Sequence, residues 1–187
     1  MRIRHVILDR DGVLNQDSDQ FIAGPDTWKW LPGSREALAL LTGTGIRLSV
    51  ATNQASIGRG YLKLETLEAI HARMTREARE AGGTIDAIFV CPHAPPEGCR
   101  CRKPAPGLIE AAMAAAGISA RDTLLVGDDE RDIEAALAAG VAAVLVLTGK
   151  GSRVARSPTL QHVRIYADLR AVAEALTQEL RTAECVR

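Results

Sequence analysis

The stretch VILDRDGVLN, residues 6–15, runs three apolar residues straight into Asp9, Arg10 and Asp11 and then turns on Gly12. A short apolar run bounded by a turn residue reads as a buried strand. Here the strand is HVIL, residues 5–8, and two carboxylates separated by one residue sit at its carboxyl end. Alone, such an Asp-x-Asp turn is an ordinary solvated loop. At the tip of a strand in a parallel sheet, it stands where open α/β folds collect their ligands.

The rest of the chain supplies such a sheet. IRLSVAT (46–52), IDAIFV (85–90), TLLVG (123–127) and AAVLVL (142–147) read as four further strands. Helical patterns lie between them near 34–42, 64–81, 107–116 and 130–139, with a last one near 168–181. Pro106 suits a first helical turn, and Gly82, Gly117 and Gly140 stand where helices end. Strands alternating with helices predict an α/β fold: a doubly wound, Rossmann-like, five-stranded parallel sheet with helices on both faces. The residues 148–161, TGKGSRVARSPTLQ, are expected to form a mobile surface loop.

Composition agrees with one domain spanning 1–187. Nearly half the residues are apolar, aromatics are scarce, and 23 Lys plus Arg balance 23 Asp plus Glu. A formally neutral chain argues against nucleic acid or an anionic membrane as the main partner. The longest apolar run is broken by Gly140 and is too short to span a bilayer, and no secretion signal is visible. Three of the four cysteines cluster, which is not a disulfide framework, so a reducing cytoplasm is expected. A monomer acting on a small molecule is the simplest expectation.

The strand ends carry Asp9–Asp11, Thr52–Asn53, Cys91–His93 and Asp128–Asp129, all converging on one sheet edge. These groups suit phosphoryl transfer, which needs a nucleophile, a proton donor for the leaving oxygen and cations against the negative charge. Asp9 can attack phosphorus, and Asp11 can protonate the departing alkoxide and then activate water. Thr52 offers a hydroxyl and Lys103 a point charge. Mg²⁺ takes a few carboxylates plus phosphate oxygens, which Asp9 and Asp128 can provide. Gly12 lets backbone N–H groups approach a phosphate.

The segments LDRDGVLN, ATNQ, CRKP and VGDDERD resemble, in order, the four motifs of the haloacid dehalogenase superfamily of phosphatases, over a span from Val6 to about Leu147. The resemblance implies Asp9 as nucleophile, Asp11 as general acid–base, Thr52 and Lys103 as phosphoryl stabilisers, and Asp128 as a Mg²⁺ ligand together with Asp9 and the Asp11 carbonyl. Many members carry a large cap domain. Here no extra domain fits between Asp11 and Thr52, and 63–82 reads as one helix, so the site is expected to be open, with loops as its lid.

CPHAPPEGCRC, residues 91–101, places Cys91, His93, Cys99 and Cys101 within one loop. Three thiols and an imidazole make a closed tetrahedral Zn²⁺ set with no exchangeable position, which reads as a structural zinc pinning the loop that delivers Arg102 and Lys103. The bland alternative is a chance cluster of reduced thiols. Cys185 is left over.

Within the superfamily, a zinc loop of this kind resembles two groups of enzymes. One removes the C7 phosphate of a heptose 1,7-bisphosphate; the other acts on histidinol phosphate. The stretches TNQASIGRGYL and LNQDSDQFIAGPDTWKWLPGS resemble the heptose group. That resemblance implies a substrate site of Arg10, Asp17, Ser18, Asp19, Gln20, Asn53, Gln54 and Ala55, with Arg59 and Arg102 as cations for a second phosphate. Some heptose enzymes carry Lys directly after the metal-binding Asp; here that position, also assigned to the substrate site, is Asp129, which cannot attract a phosphate and could instead face the metal's water shell. Asp132 reads as a first-turn helix acid favoured by the helix dipole. His5, His71 and His162 receive no role. Two non-enzymatic alternatives are weaker. A phosphoacceptor receiver would need its Asp at the third strand's end, where Cys91 stands, and a zinc-binding interaction module leaves the acids unexplained.

Overall fold

The structure is a computed structural model that describes residues 2–18 and 21–185. The substrate-site expectations for Asp19 and Gln20 lie outside the described residues, as does the side chain of Cys185.

Among the described residues, six parallel strands form one sheet in the order β3-β2-β1-β4-β5-β6. They are β1 (His5–Leu8), β2 (Arg47–Asn53), β3 (Ala87–Cys91), β4 (Thr123–Gly127), β5 (Ala142–Val146) and β6 (Arg164–Tyr166). The helices are α1 (Ser34–Gly43), α2 (Ala55–Gly58), α3 (Leu64–Glu80), α4 (Gly107–Ala116), α5 (Glu130–Ala138), α6 (Gly151–Val154) and α7 (Leu169–Cys185).

The central strand shows why VIL, residues 6–8, is apolar throughout. Successive side chains of a strand point to opposite faces. Val6 and Leu8 enter one core with Leu38 and Leu41 of α1, Ile70 and Met74 of α3 and Val172 of α7. Ile7 enters the other, against Ile109 and Ala112 of α4 and Ala135 of α5. The neighbouring strand β4 repeats the division, with Leu124 and Val126 on the first side and Leu125 on the second. Helix α3 fits its face with Leu67, Ile70, Met74 and Ala78 at helical spacing.

β1 pairs with β2 on one side and β4 on the other, so the strand order reverses beside it. That switch point opens a crevice above the carboxyl ends of β1 and β4. The residues after β1 and β4 are Asp9 and Asp128.

Two expectations are corrected. The sheet has six strands, not five: β6 pairs with β5 through Val144–Arg164, Leu145–Ile165 and Val146–Tyr166. It is a three-residue edge strand with Arg164 and Ile165 exposed, so it lacks the buried run that marked the others. The residues 148–161, expected to form a surface loop, carry regular structure. They hold α6 and a 3-10 turn, bury Gly151 and Leu160, and begin directly on the crevice. The segment 63–82, expected to be one helix, holds α3. No helix among the described residues is long and apolar enough to cross a membrane.

Candidate active site at the carboxyl edge of the sheet

The Asp9 backbone N–H donates to Val126 O at 2.9 Å, tying the first residue after β1 to β4. Its Oδ1 lies 2.8 Å from the Lys103 ammonium and accepts from the Arg10 N–H at 2.7 Å. Lys103 is buried, and its Nζ also reaches Asp132 Oδ1 at 2.5 Å and the Ala51 carbonyl at 2.8 Å. Its three protons therefore meet three acceptors. Burial alone would lower the lysine's pKa, but the Asp132 and Asp9 carboxylates outweigh it and hold the ammonium above the ordinary lysine range.

Lys103 is itself held from β2. The Asn53 side chain accepts from the Lys103 N–H at 3.1 Å and donates to the Lys103 carbonyl at 3.0 Å. Gln54 Nε2 donates to Thr52 Oγ1 at 2.8 Å and to Asp11 Oδ2 at 2.9 Å. Because Thr52 Oγ1 accepts that bond, its own proton is left to donate into the cavity.

Asp11 sits in a cradle of donors. Arg10 forks onto it through Nη2 at 2.9 and 3.0 Å and Nε at 3.3 Å, and Asn15 Nδ2 donates at 2.9 Å. Burial pushes the Asp11 pKa up, but the Arg10 charge and the bonds from Asn15, Arg10 and Gln54 hold it below the usual carboxylate value. Arg10, expected among the substrate residues, borders the cavity with its guanidinium committed to Asp11.

The carboxylates of Asp9, Asp128 and Asp132 bring ligand atoms within 4.8 Å of one another, an oxygen set that can hold a hard divalent cation. Burial pushes Asp9 up to about 8, with Lys103 opposing and the Asp132, Asp128 and Asp11 charges adding. Burial likewise raises Asp128 to about 7, against the Lys150 N–H that donates to its Oδ2 at 2.7 Å. Two glycines close around Asp128: Gly12 (φ +85°) and Gly149 (φ +57°) approach it so closely that a Cβ on either would run into its carboxylate.

Asp132 has a larger part than a dipole acid. It is buried, pairs with Lys103, and its Oδ2 accepts from the Asp128 and Asp129 N–H groups at 3.2 and 3.1 Å. The available signal was the spacing: one helical turn after Asp128, on the first turn of α5.

Asp129 caps α5 by accepting from the Arg131 N–H and pairs with the Arg131 guanidinium at 2.7 Å. Lys150 Nζ lies 3.8 Å from Asp129 and 3.1 Å from Asp17. Two cations, Arg131 and Lys150, thus stand beside Asp129, and the sequence pattern singled out neither.

A cavity of about 550 Å³ joins these groups, bordered by Asp9, Asp11, Thr52, Lys103 and Asp128. Asp17, Ser18, Ala55, Arg59, Arg102 and Asp129 lie around it, and Arg131 and Lys150 extend the rim. Phe21 and Tyr61 stack at the rim with centroids 6.1 Å apart.

At the end of β3, Cys91 Sγ lies 3.5 Å from Cys99 Sγ and 3.7 Å from His93 Nδ1. Cys101 Sγ lies 3.3 Å from His93 Nδ1 and 3.4 Å from Cys99 Sγ. A zinc tetrahedron with Zn–S near 2.3 Å has edges of about 3.7 Å, so the four ligand atoms fit such an ion with little adjustment. Arg102 Nη1 donates to the His93 carbonyl at 3.3 Å, linking the cluster to the residue before Lys103.

A switch-point carboxylate, a cation delivered from the third strand's loop and an acid pair after β4 are the arrangement of a haloacid dehalogenase-like hydrolase. A family model described as HAD-hydrolase-like matches residues 100–172. The D-glycero-β-D-manno-heptose-1,7-bisphosphate 7-phosphatase of Bordetella bronchiseptica is 46% identical over 175 residues, covering 93% of this chain and 98% of the relative. The enzyme of that name from Pseudomonas putida is 47% identical over 171 residues, with 91% and 98% covered. The crystal structure of the B. bronchiseptica D,D-heptose 1,7-bisphosphate phosphatase complexed with magnesium and phosphate matches with a TM-score of 0.91, covering 95% of this chain and 99% of that one. The Burkholderia thailandensis counterpart matches at 40% identity and a TM-score of 0.73, with 92% and 97% covered. The chain belongs to the D-glycero-β-D-manno-heptose-1,7-bisphosphate 7-phosphatase family of the haloacid dehalogenase superfamily.

Proposed function

We propose that the chain removes the C7 phosphate from D-glycero-D-manno-heptose 1,7-bisphosphate, a step toward lipopolysaccharide-core heptose, in the cytoplasm and as a monomer folded as one domain. The observation that carries the chemistry is the 2.8 Å contact between Asp9 Oδ1 and Lys103 Nζ, which joins a carboxylate nucleophile to a phosphate-binding cation across the sheet edge. Asp9 attacks phosphorus, the bond to the C7 oxygen breaks, and the alkoxide takes its proton from Asp11. Asp11, now ionised, takes a proton from water as that water attacks the aspartyl phosphate. Inorganic phosphate and free Asp9 result, and Asp11 regains its proton. A phosphate dianion bound beside Asp11 raises its proton affinity, offsetting the cradle of donors. Lys103 and the Thr52 hydroxyl hold phosphoryl oxygens.

Asp9, Asp128 and the Asp11 carbonyl would hold Mg²⁺, with Asp132 orienting the set. When bound, the ion neutralises phosphoryl charge. The second phosphate meets Arg102 and Arg59, with Arg131 and Lys150 also on the cavity wall, and Asp17, Ser18 and Ala55 border the sugar. Asn53 and Gln54 serve this site by positioning Lys103, Thr52 and Asp11. The names of the relatives favour the heptose substrate over histidinol phosphate. Comparing kcat/KM for the two substrates tests the choice. The bisphosphate should win by about 10²-fold or more, because histidinol phosphate brings neither a second phosphate nor sugar hydroxyls to the cations and polar groups around the cavity. A preference for histidinol phosphate would overturn the substrate and leave the chemistry standing.

Cys91, His93, Cys99 and Cys101 would hold a structural Zn²⁺ that keeps Arg102 and Lys103 in place. Cys99→Ser is expected to lose bound zinc by elemental analysis and to lower turnover, while the two-faced core keeps the fold cooperative. A zinc-free variant with full activity would break the link between the cluster and Lys103.

A further inference from the structure

Arg10 is 1% exposed, and no step of the phosphoryl transfer uses it directly. Besides its fork onto Asp11, its Nη1 lies 3.1 Å from Nε2 of His71, on α3, and its Cζ lies 5.9 Å from the Trp28 ring. A guanidinium has donors only, so His71 Nε2 must be the acceptor. The imidazole is therefore neutral, with its proton on Nδ1. Burial, reinforced by the Arg10 charge, takes His71 down to about 4, so it stays neutral across the working pH range.

From this geometry we infer that His71 is a positioning residue for the acid–base Asp11, acting through Arg10. The inference rests on the proposed role of Asp11. His71 holds one edge of a planar fork, Asp11 takes another, and Trp28 lies beside the group. With the His71 edge lost, the fork is free to tilt, and the Asp11 carboxyl loses its aim at the leaving oxygen. Asn15 and Gln54 would still bind Asp11, so its charge would survive while its direction would not.

Leaving-group dependence separates this role from a general one in folding. A sugar alkoxide needs a proton as it leaves; p-nitrophenolate departs without one. General acid catalysis contributes ~10²–10⁴-fold, and a small misplacement can forfeit much of it. His71→Leu is therefore expected to lower kcat/KM for heptose 1,7-bisphosphate on the order of ten- to a hundredfold more than for p-nitrophenyl phosphate. His71→Gln, whose side-chain carbonyl can accept from Arg10 in place of Nε2, should recover most of that ratio. Arg10→Lys keeps the buried charge but cannot fork, and should show the same selective loss even if His71→Leu is too unstable to assay. Equal losses on both esters in these variants, or no difference between the Gln and Leu substitutions, would overturn the inference. A wild-type enzyme insensitive to Asp11→Asn would sink the acid–base reading itself. A sensitive wild type with unselective variants would sink only the role of His71.

Discussion

Asp9→Asn is expected to lower phosphatase turnover on the order of 10⁴-fold or more while leaving the fold intact. Loss of a covalent nucleophile costs this much in other hydrolases because no remaining group can form the intermediate. The substitution is nearly isosteric. The Asn carbonyl can still accept the Arg10 N–H, and Lys103 keeps Asp132 and the Ala51 carbonyl. Acid-quenched wild type should retain phosphate on the chain during turnover, and the variant should not. The same variant tests the electrostatics of the acid cluster. With Asp9 near 8 and Asp128 near 7, protons compete with Mg²⁺ for both carboxylates. Metal binding must release those protons, so Mg²⁺ affinity should strengthen as pH rises from about 6 to 8. In Asp9→Asn one titrating ligand is gone, and proton release on Mg²⁺ addition, read by calorimetry in two buffers, should fall. For the metal-free wild type the sign of the stability effect follows from the raised values. Those two carboxyls hold protons in the folded state that the unfolded state has lost, so their contribution declines as pH rises from about 4 toward 8; His5 and His71, held down near 4, oppose it up to about 6.5, so the net decline is expected above that point. Full turnover by Asp9→Asn would remove the nucleophile from this account.

Local spacing carried much of the architecture. HVIL beside two acids reads as a strand buried on both faces because the pattern is complete within a few residues, and the alternation of Val6, Ile7 and Leu8 between two cores is its physical cause. The Cys91, His93, Cys99 and Cys101 cluster, a group that could hold a metal ion, was legible for the same reason, lying on one short loop. β6 was not, because an edge strand of three residues needs neither a buried run nor a turn signal, only β5 beside it.

Long-range pairing explains the other differences at the site. Asp132 looks like any first-turn acid until Lys103 is seen against it. Asn53 and Gln54, expected to bind substrate, border the cavity and also hold Lys103, Thr52 and Asp11 through their amides. Arg10 stands in a loop where an arginine is ordinarily solvated, and it turns inward because Asp11 and a histidine from α3 receive it. Lys150 belonged to a segment read as surface; its N–H reaches Asp128 and its ammonium reaches Asp17. Such contacts are set by the packing of distant elements and leave no period in the chain.

Lys103→Met should damage stability and catalysis together, and the two losses should depend on pH in a recognisable way. The lysine side chain is 3% exposed and Asp132 is 2% exposed, so the substitution leaves one fully buried carboxylate and one mostly buried one without their shared cation. Removing one partner of a buried ion pair costs about 3–5 kcal/mol. Chemical denaturation at neutral pH should register a loss of that order. The stranded carboxylates would then bind protons more tightly in the folded state than in the unfolded one, so the variant should be least stable at high pH and recover as pH falls toward the ordinary aspartate range. Mg²⁺ should restore part of the lost stability by supplying charge beside Asp9. It cannot restore the phosphoryl contact, so activity should stay low when stability has been regained. Lys103→Arg separates the two effects from the other side. The charge remains, but a planar fork cannot place donors on Asp9, Asp132 and Ala51 from one point, so the fold should be largely kept while turnover falls. A Lys103→Met protein as stable as wild type at pH 8 would mean that the Asp9–Lys103–Asp132 cluster does not hold the carboxyl edge of this sheet together.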